Sequence, residues 1–517
     1  MQALSYIEMR ALDRAAIDGG TPGVVLMRRA GLAVAESVRR LATMSGVRDL
    51  PILLLAGKGN NGGDAFAAAE FLASWGYAIR VFATLESASD ALAFRQSPSI
   101  VPHIRALSEL PECVPHGSIL VDGLLGTGTH GAPHGEIAEA IRWLARHRRD
   151  AGQETGVPGG DSGAGQETGA PGGGGYILSI DIPSGLDADT GVVHSPCVSA
   201  DVTVTLAQPK TGMALPAARD ISGRVEIADI GLPCTDRNVC DTLEWIAEAE
   251  LRRSVPVRPR DAHKGMSGHL ALLAGSDGLA GAATLAALGA LNSGCGLVSV
   301  RTLARALSQM PPEVMVRPYD ATEEFLKDMT AVVVGPGLGQ DAGAFDALAK
   351  SLTFQKCPMV LDADALNLLA QHSDLLGRIP RGSVITPHPG EAARLLGITA
   401  AEVQKNRVGA LGKLVEMTRA TVALKGADTL VGAPGQNAFL CGAGNPGMAV
   451  GGMGDVLAGL IGGLMARGMD AAKAAKLGVW LHATAGDFAA WSRTPHALQP
   501  SGLVERLPMA WKALMGG

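Results

Sequence analysis

Pro51-Ile-Leu-Leu-Leu-Ala56, then Gly57-Lys-Gly-Asn-Asn-Gly-Gly-Asp64, then a run of small and apolar residues to Trp75 and Gly76, is the stretch whose reading decides the fold. A short apolar run of strand length, a glycine cluster and the helical pattern Gly63–Trp75 read as strand, turn and helix. Such a turn aims free backbone N–H groups and the positive end of a helix dipole at an anion. A tight turn needing positive φ would use the glycines alone. Asn60, Asn61 and Asp64 add side-chain oxygens that a turn does not need, so the stretch reads as a site.

Outward from it, apolar residues recur at helical spacing at Met9, Leu12 and Ala16, and again at Val24, Met27, Ala30, Val34, Val38 and Leu41. Further strands are predicted at Ala78–Phe82, Ser118–Asp122, Tyr176–Asp181, Val202–Leu206 and Arg224–Ile230. Strands alternating with helices predict an α/β fold with a mostly parallel sheet and helices on both faces. Asp122-Gly-Leu-Leu-Gly-Thr-Gly-Thr-His-Gly131 and Asp181-Ile-Pro-Ser-Gly-Leu-Asp187 each follow one of these strands. Ligands of open parallel sheets sit beyond the carboxyl ends of the strands, so the three loops can build one pocket. Oxygens from Asn61, Asp122 and Ser184 suit a hard cation.

The 517 residues allow about three to four domains, or two large α/β domains. With 47% hydrophobic and 18% charged residues the chain is not disordered throughout. A net charge of −6 gives no global pull on nucleic acid or an anionic membrane. Glycine, 68 residues, is about twice its usual ~7% share, while aromatics are 4%. That balance suits anion-binding loops better than a surface for stacking bases. The seven cysteines are irregularly spaced without CxxC, which argues against a disulfide framework or structural zinc and for a reducing cytoplasm. Glu8, Arg10, Asp13 and Arg14 stand where a signal peptide needs an apolar run. Gly278–Val300 is the longest uncharged stretch of apolar character, but its glycines, Asn292 and Ser293 make it a buried helix and loop rather than a membrane span.

Residues 150–175 interrupt the first unit. AGQETGVPGG at 151–160 returns as AGQETGAPGG at 164–173, almost without core-forming residues, so a disordered surface insertion is expected. A second unit follows the stretch Arg252–Arg260, read as a solvated linker. Its expected strands are His269–Ala274, Leu297–Val300, Ala331–Val334, Met359–Asp362, Val384–Thr386 and Val422–Lys425. Helices are expected at Ala280–Asn292, Asp341–Leu352, Asp364–Gln371, Glu391–Leu396 and Asp455–Ala466. The predicted domains are 1–245 and 246–517.

Five loops of the second half stand out: Gly275-Ser-Asp-Gly-Leu-Ala-Gly-Ala282, Gly335-Pro-Gly-Leu-Gly339, Asp362-Ala-Asp-Ala-Leu-Asn367, Thr386-Pro-His-Pro-Gly-Glu391 and Gly451-Gly-Met-Gly-Asp455. The last supplies free N–H groups for a phosphate with a carboxylate beside them, which is what phosphoryl transfer needs: charge stabilisation and an acceptor for a hydroxyl proton. Asp455 can also be read as a charge stabilising the helix dipole. Lys425-Gly-Ala-Asp-Thr429, after a strand, reads as a phosphate contact or an exposed turn.

AGKGNNGGD, VDGLLGTG and DIPSGLD, preceded by LMRRAG at 26–31, resemble the NAD(P)H-hydrate epimerase family over roughly residues 5–230 outside the insertion. The resemblance implies a Rossmann-like three-layer domain that interconverts the R and S epimers of hydrated NADH and NADPH (NADHX and NADPHX) and holds K⁺. It implies that Asn60, Asn61, Gly62, Gly63 and Asp64, with Gly126, Thr127, Gly128, Thr129, His130, Gly131 and Ala132, contact the hydrate. Asp181 is expected at the reacting ring as catalytic acid and base, and Asn61, Asp122 and Ser184 around K⁺. The family continues with glycine after GGD; here it is Ala65, which narrows the loop.

The second half resembles the ADP-dependent NAD(P)H-hydrate dehydratases over about 262–515, which implies a ribokinase-like fold. ADP would phosphorylate the hydroxyl of the S epimer, and elimination would give NAD(P)H, AMP and phosphate. The resemblance implies that Ala282, Gly337 and His388 contact the hydrate, that Lys425, Gly426, Ala427, Asp428, Thr429 and Gly454 hold ADP with Mg²⁺, and that catalytic Asp455 lies beside the reacting hydroxyl. The family pattern ATGGTGDVL stands here as Ala449-Val-Gly-Gly-Met-Gly-Asp-Val-Leu457, with Val450 and Met453 in place of two threonines. Together the halves resemble the bifunctional NAD(P)H-hydrate repair enzymes. A cytoplasmic homo-oligomer is expected, with no nucleic-acid or membrane partner. Two rivals stand against this: a ribokinase-like small-molecule kinase, against which DADALN and TPHPGE argue, and a first half reduced to a nucleotide-binding interaction domain, against which Asp64, Asp122 and Asp181 argue.

Overall fold

The computed structural model describes residues 1–148, 174–232, 243–261, 263–304, 310–318, 325–354 and 357–516. The repeat lies wholly outside the described residues, and of the segment 150–175 only Gly174 and Gly175 are described. The chain divides into two compact units, Met1–Asp236 and Arg237–Gly517. The boundary therefore lies earlier than the expected 245.

The first unit carries β1 (Ile52–Ala56), β2 (Ile79–Ala83), β3 (Ile104–Ala106), β4 (Ile119–Gly123), β5 (Tyr176–Ile180), β6 (Val202–Leu206) and β7 (Arg224–Ala228). They form one sheet in the order β3-β2-β1-β4-β5-β6-β7, and every neighbouring pair is parallel. β1, β4, β5 and β6 are buried along their whole length, as strands covered on both faces must be. On one face Ala140, Ile141, Trp143 and Leu144 of the helix Gly135–Arg146 pack with Leu53, Leu55, Phe82, Leu120 and Ile177. Two further helices, Gly23–Ser45 and Asn60–Ser74, cross so closely that a Cβ on Gly31 would stand 2.4 Å from that of Ala67. The order reverses at β1, which has β2 on one side and β4 on the other. That switch point opens a crevice at the carboxyl edge.

The second unit adds β8 (Leu243–Trp245), β9 (His269–Leu273), β10 (Leu297–Thr302), β11 (Val314–Pro318), β12 (Ala331–Val334), β13 (Met359–Leu361), β14 (Val384–Ile385), β15 (Thr421–Leu424), β16 (Leu430–Gly432) and β17 (Ala438–Leu440). Their order is β11-β10-β9-β12-β13-β14-β15-β16-β17-β8. Among the described strands β16 alone runs against the rest. β8 pairs with β17, Leu243 opposite Ala438, which is why residues 243–245 belong to this unit and not to the first.

Every strand expected from the sequence forms within two residues of its expected ends. Of the five not foreseen, β3, β8 and β11 are edge strands and β17 and β16 are the next two in from β8; all but β11 have only three residues, too few to show a period. The glycine turn is also reassigned: Asn60 to Gly63 are the first turn of the helix Asn60–Ser74, capped by Gly59. Gly278–Val300 resolves into the helix Ala280–Asn292 and the start of β10. No described helix is long and apolar enough to cross a membrane. Among the described residues, Cys113, Cys197, Cys295, Cys357 and Cys441 form no disulfide; Cys234 and Cys240 lie outside the described residues.

The flanks of the repeat are already joined: Gly175 N–H donates to the His147 carbonyl at 2.7 Å, and Arg148 bridges Gly175. Loop-closure free energy varies slowly with length. Replacing 151–172 by a short Gly-Ser linker should therefore move Tm by no more than the ~2–4 °C that about 1 kcal/mol represents in a unit of this size. Calorimetry on the full chain reads this directly; a larger fall would make the repeat structural.

Candidate active sites

In the first unit the three glycine-rich loops meet beyond β1, β4 and β5. A Cβ on Gly57 would stand 1.9 Å from the Leu124 carbonyl oxygen, and one on Gly62 1.9 Å from that of Gly57. Only glycine lets these backbones touch. The contact holds Asn60 exposed at the helix start, with Asn61, Gly62, Gly63 and Asp64 buried behind it. Asn61 Nδ2 donates to the carbonyls of Leu125 (2.7 Å) and Ile180 (2.9 Å), which ties the loops after β4 and β5 to the helix.

Asp122 at the end of β4 is fully buried. Its Oδ1 accepts from Ser184 Oγ (2.6 Å), and its Oδ2 from Ser184 N–H and Ser179 Oγ (both 2.9 Å). Burial pushes its carboxyl up against these bonds, and among the described residues no lysine or arginine forms an ion pair with it. A buried carboxylate neutralised by no lysine or arginine, with Asn61, Ser184 and two converging carbonyls, is an oxygen donor set that fits a hard monovalent cation. Asn61, Asp122 and Ser184 are thus brought together.

Asp181 follows β5 in the left-handed region (φ 67°), a strained conformation for a non-glycine residue. Its Oδ1 accepts from Leu206 N–H at 3.1 Å and forms a short ion pair with Lys210 Nζ. Lys210 is 1% exposed and also donates to Thr205 Oγ1 (3.0 Å) and the Leu206 carbonyl (3.1 Å). Burial, then the charges of Asp181 and Asp13, push Asp64 well above the usual carboxylate range. Asp13, on the helix Tyr6–Asp18, is raised by burial and by Asp181. Neither Lys210 nor Asp13 carries a local mark in the sequence that points to this site.

The Gly126–Ala132 loop closes one side. Gly126 lies against Asn61, and Gly128 against the Tyr6 ring. Thr127 and Thr129 are half-buried, while Gly131 and Ala132 are exposed. His130 meets Tyr6 edge-on at 5.8 Å, and its Nδ1 lies 3.1 Å from Asp187 Oδ2. Burial opposes it, but hydrogen bonds from Thr190 and His130 hold Asp187 below the usual carboxylate range.

The second site is built the same way, beyond β9, β12, β13, β14 and β15. A Cβ on Gly335 (φ 125°) would stand 1.8 Å from the Asp362 carbonyl oxygen. Gly337 (φ 57°) lies against Ala282 and Leu279, so the two expected substrate contacts Ala282 and Gly337 are neighbours. Asp364 Oδ2 accepts from Gly339 N–H at 2.9 Å and fixes that loop. Ala363, between the two aspartates, is left-handed (φ 48°).

At the centre Lys425 Nζ donates to Asp362 Oδ1 at 2.6 Å, and Glu391 Oε2 lies 3.7 Å away. Burial lowers Lys425, but the Asp362 and Glu391 carboxylates outweigh it and hold the ammonium above its usual value. Asp362 is 1% exposed; Thr386 Oγ1 also bonds its Oδ1 (2.8 Å), while its Oδ2 is buried without a donor. That oxygen points towards Gly454: a Cβ there would stand 3.8 Å from Asp362 Oδ2 and 3.1 Å from Lys425 Nζ. An orphaned buried carboxylate oxygen beside a phosphate-type loop fits a divalent cation.

Gly452, left-handed at φ 94°, starts the helix Met453–Ala466. Gly454 and Asp455 lie in its first turn, whose N–H groups have no partner within the helix. Burial, then Asp362, pushes Asp455 up to about 7. Met453 is buried and its carbonyl meets His482 Nε2 at 2.9 Å, whereas Val450 is 45% exposed. His388 is the cap of the helix Pro389–Leu396, its Nδ1 accepting from Gly390 N–H at 2.9 Å, and its ring is half-exposed. Burial and Lys425 lower it, so it is a neutral acceptor. Gly426, Ala427, Asp428 and Thr429 form the hairpin turn between β15 and β16. Arg407 holds it through the Leu424 (3.2 Å) and Asp428 (3.3 Å) carbonyls. Glu391 and Asp362, central here, had been noted only as parts of motifs.

Residues 23–212 match the family described as YjeF-related protein N-terminus, and residues 270–509 match NAD(P)H-hydrate dehydratase. The bifunctional NAD(P)H-hydrate repair enzyme Nnr of Moorella thermoacetica is 34% identical over 545 residues, covering 99% of this chain and 97% of that one. The chain belongs to the bifunctional NAD(P)H-hydrate repair enzyme family. The Escherichia coli member is 35% identical over 450 residues, covering 85% of this chain and 80% of its own. Among solved structures, the Bacillus subtilis ADP/ATP-dependent NAD(P)H-hydrate dehydratase co-crystallised with ATP/Mg²⁺ is 30% identical, with TM-score 0.46, over 52% of this chain and 98% of its own. Each matched segment of this repair-enzyme chain encloses one site: Asn60 to Lys210 lies in the first, Ala282 to Asp455 in the second.

Proposed function

We propose that the first unit interconverts the R and S epimers of hydrated NADH and NADPH, and that the second dehydrates the S epimer at the expense of ADP, giving NAD(P)H, AMP and phosphate. Family membership over 99% of the chain supports this. The observation that carries it is that each matched segment sets a buried Asp–Lys pair beside a glycine-rich helix N-terminus at the carboxyl edge of its sheet.

Epimerisation needs the ring hydroxyl to leave as water with one added proton, helped by the ring nitrogen lone pair, and water to return to the other face and give a proton back. Asp64, whose carboxyl burial and then Asp181 push well above the usual range, is suited to supply the first. Asp181, oriented by Lys210 and Leu206 N–H, is suited to take the second. Asn60 to Gly63 offer the helix N-terminus to the pyrophosphate. Asn61, Asp122 and Ser184 would hold K⁺, which when bound neutralises the Asp122 charge and stiffens the loops.

In the second unit Asp455 accepts the hydroxyl proton as the oxygen bonds to the terminal phosphorus of ADP and the bond to the bridging oxygen breaks, releasing AMP. The phosphate then leaves with the C–O electron pair, an adjacent ring proton is lost and the ring double bond is restored. Lys425 and the N–H groups of Gly454 and Asp455 face the phosphate charge. Asp362 would hold Mg²⁺, which when bound neutralises that charge. A cytoplasmic location and self-association into a homo-oligomer belong to the same proposal; the described cysteines, which form no disulfide, agree with the first. Incubation with mixed hydrates plus ADP, following recovery of NAD(P)H, tests the whole scheme. Failure with ADP and turnover of ATP with vitamin alcohols would favour the kinase instead.

Asp455→Asn should lower dehydration about 10²–10⁴-fold and leave R-to-S conversion intact. Asp455 must be ionised to accept a proton. With its pKa up at about 7, the dehydration kcat/KM should rise as pH passes 7 and level off above it. A pH-independent rate from 5.5 to 8.5 would remove Asp455 as the base.

Asp181→Asn should turn the decay of a mixed sample biphasic. The S epimer should go at the normal rate, since the second site lies in another unit. The R epimer should then disappear only as fast as it epimerises spontaneously. Equal consumption of both epimers by the variant would exclude Asp181 from the chemistry.

A further inference from the structure

The carboxyl edge of the first sheet runs in the order β3-β2-β1-β4-β5. Asp181 follows β5 and the anion-binding helix start follows β1, two strands away. At about 4.8 Å per strand this places the hydrated ring and the pyrophosphate roughly 10 Å apart along the edge. The rest of a dinucleotide must continue past β2. A cavity of about 590 Å³ opens there, lined by Leu85, Ser87, Leu92, Arg95, Gln96, Val101 and Ile104. Its size is that of a small-molecule site, and its apolar walls with a few polar groups suit a purine.

Leu85 comes just after β2, and Ile104 begins β3. Leu92 and Arg95 bound the short helix Leu92–Arg95, which follows Ala91, and a Cβ on Gly63 would stand 3.0 Å from that of Ala91. The cavity is thus adjacent to the start of the helix Asn60–Ser74. Leu85 is 86% exposed and Leu92 43%, large apolar side chains left in water. Arg95 lies over the Phe66 ring at 5.6 Å, its Nη1 bonded to Ser87 Oγ, and no carboxylate lies within 4 Å of it among the described residues. Neutral Ser87 leaves the guanidinium charge uncompensated. The lining holds no carboxylate either; Glu86 after β2 is exposed and outside it. In doubly wound dinucleotide sites an acidic side chain near this strand selects the free ribose hydroxyl and an arginine the 2′-phosphate.

We infer that this cavity receives the adenosine end of the hydrated dinucleotide and that Arg95 binds the 2′-phosphate, so that the first site favours NADPHX over NADHX. The inference rests on the first unit acting on these hydrates. Arg95 is a specificity residue far from the reacting ring, so it should act on KM rather than kcat. In the full-length protein, Arg95→Ala should lower the ratio of epimerisation kcat/KM for NADPHX over NADHX about 10- to 100-fold, the worth of a charge-assisted hydrogen bond. Arg95→Lys should recover part of it. Calorimetric titration with adenosine 2′,5′-bisphosphate and with AMP, comparing unmutated protein with Arg95→Ala at equal Tm, reads the cavity without turnover. Weaker binding of the bisphosphate alone in the variant would support the assignment. If that loss appears while the unmutated protein converts neither hydrate, the cavity assignment stands and the epimerase proposal falls. An unchanged ratio together with unchanged bisphosphate binding overturns the inference.

Discussion

In both units a lysine that follows one strand reaches back to a carboxylate at the end of another, and the site is arranged around that pair. Lys210, after β6, holds Asp181, after β5; Lys425, after β15, holds Asp362, after β13. Both lysines are largely buried. An ammonium removed from water costs several kcal/mol unless paired, and removing one member of such a pair typically costs about 3–5 kcal/mol. The strand ends carrying the four residues therefore cannot drift apart without exposing a charge to an apolar interior. Asn61 is tied to the same edge through the Ile180 carbonyl at the end of β5, and Gly454 lies against Lys425 and Asp362.

The pairs can form only because the backbone comes unusually close to itself. Gly57 against Leu124 and Gly335 against Asp362 leave less than 2 Å for a Cβ. Of the five non-glycine residues at positive φ, Asp181, Ala363 and Asp428 lie in loops at the sites and Ala207 in the segment that carries Lys210. Strain of order 1–3 kcal/mol per residue persists where surrounding structure over-determines the conformation. Here the surrounding structure is a fully buried parallel sheet, whose strands each tolerate little displacement.

What was legible in the sequence follows from these two facts. Glycine clusters after apolar runs mark the close approaches, so the sequence alone places the loops beginning at Gly57, Asp122, Asp181, Gly275 and Gly335 at strand ends, and the interior strands with them. The grouping of Asn61, Asp122 and Ser184 followed from the three loops sharing one edge. Lys210 was not legible, because a lone lysine in a mixed segment carries no local mark of burial; its role comes from β6 lying beside β5. Asp13 and Glu391 escaped for the same reason, each reaching its site from a helix whose own pattern is complete without it. The early domain boundary escaped because β8 is a three-residue edge strand held by a partner nearly 200 residues away in sequence. His388 was expected at the hydrate only from the family resemblance; its place before Pro389 also makes it a helix cap.

The two sites differ in what they do with the uncompensated charge around their lysine. In the first, Asp13, Asp64 and Asp181 share one ammonium, and burial, then Asp181, pushes the Asp64 carboxyl well above the usual range beside a paired Asp181. A reaction that removes and returns the same hydroxyl needs a proton donor and an acceptor side by side, and two carboxyls held in such different environments suit it. In the second, Asp362, Asp364, Glu391 and Asp455 outnumber Lys425, and the helix N-terminus beside them is open. Here the surplus negative charge suits a metal-bound phosphate, and burial, then the Asp362 carboxylate, raises Asp455 to about 7, which suits a base working near neutrality. The same architectural device, an Asp–Lys pair on a glycine turn, is thereby directed to proton exchange in one unit and to phosphoryl transfer in the other by the number of carboxylates placed around it.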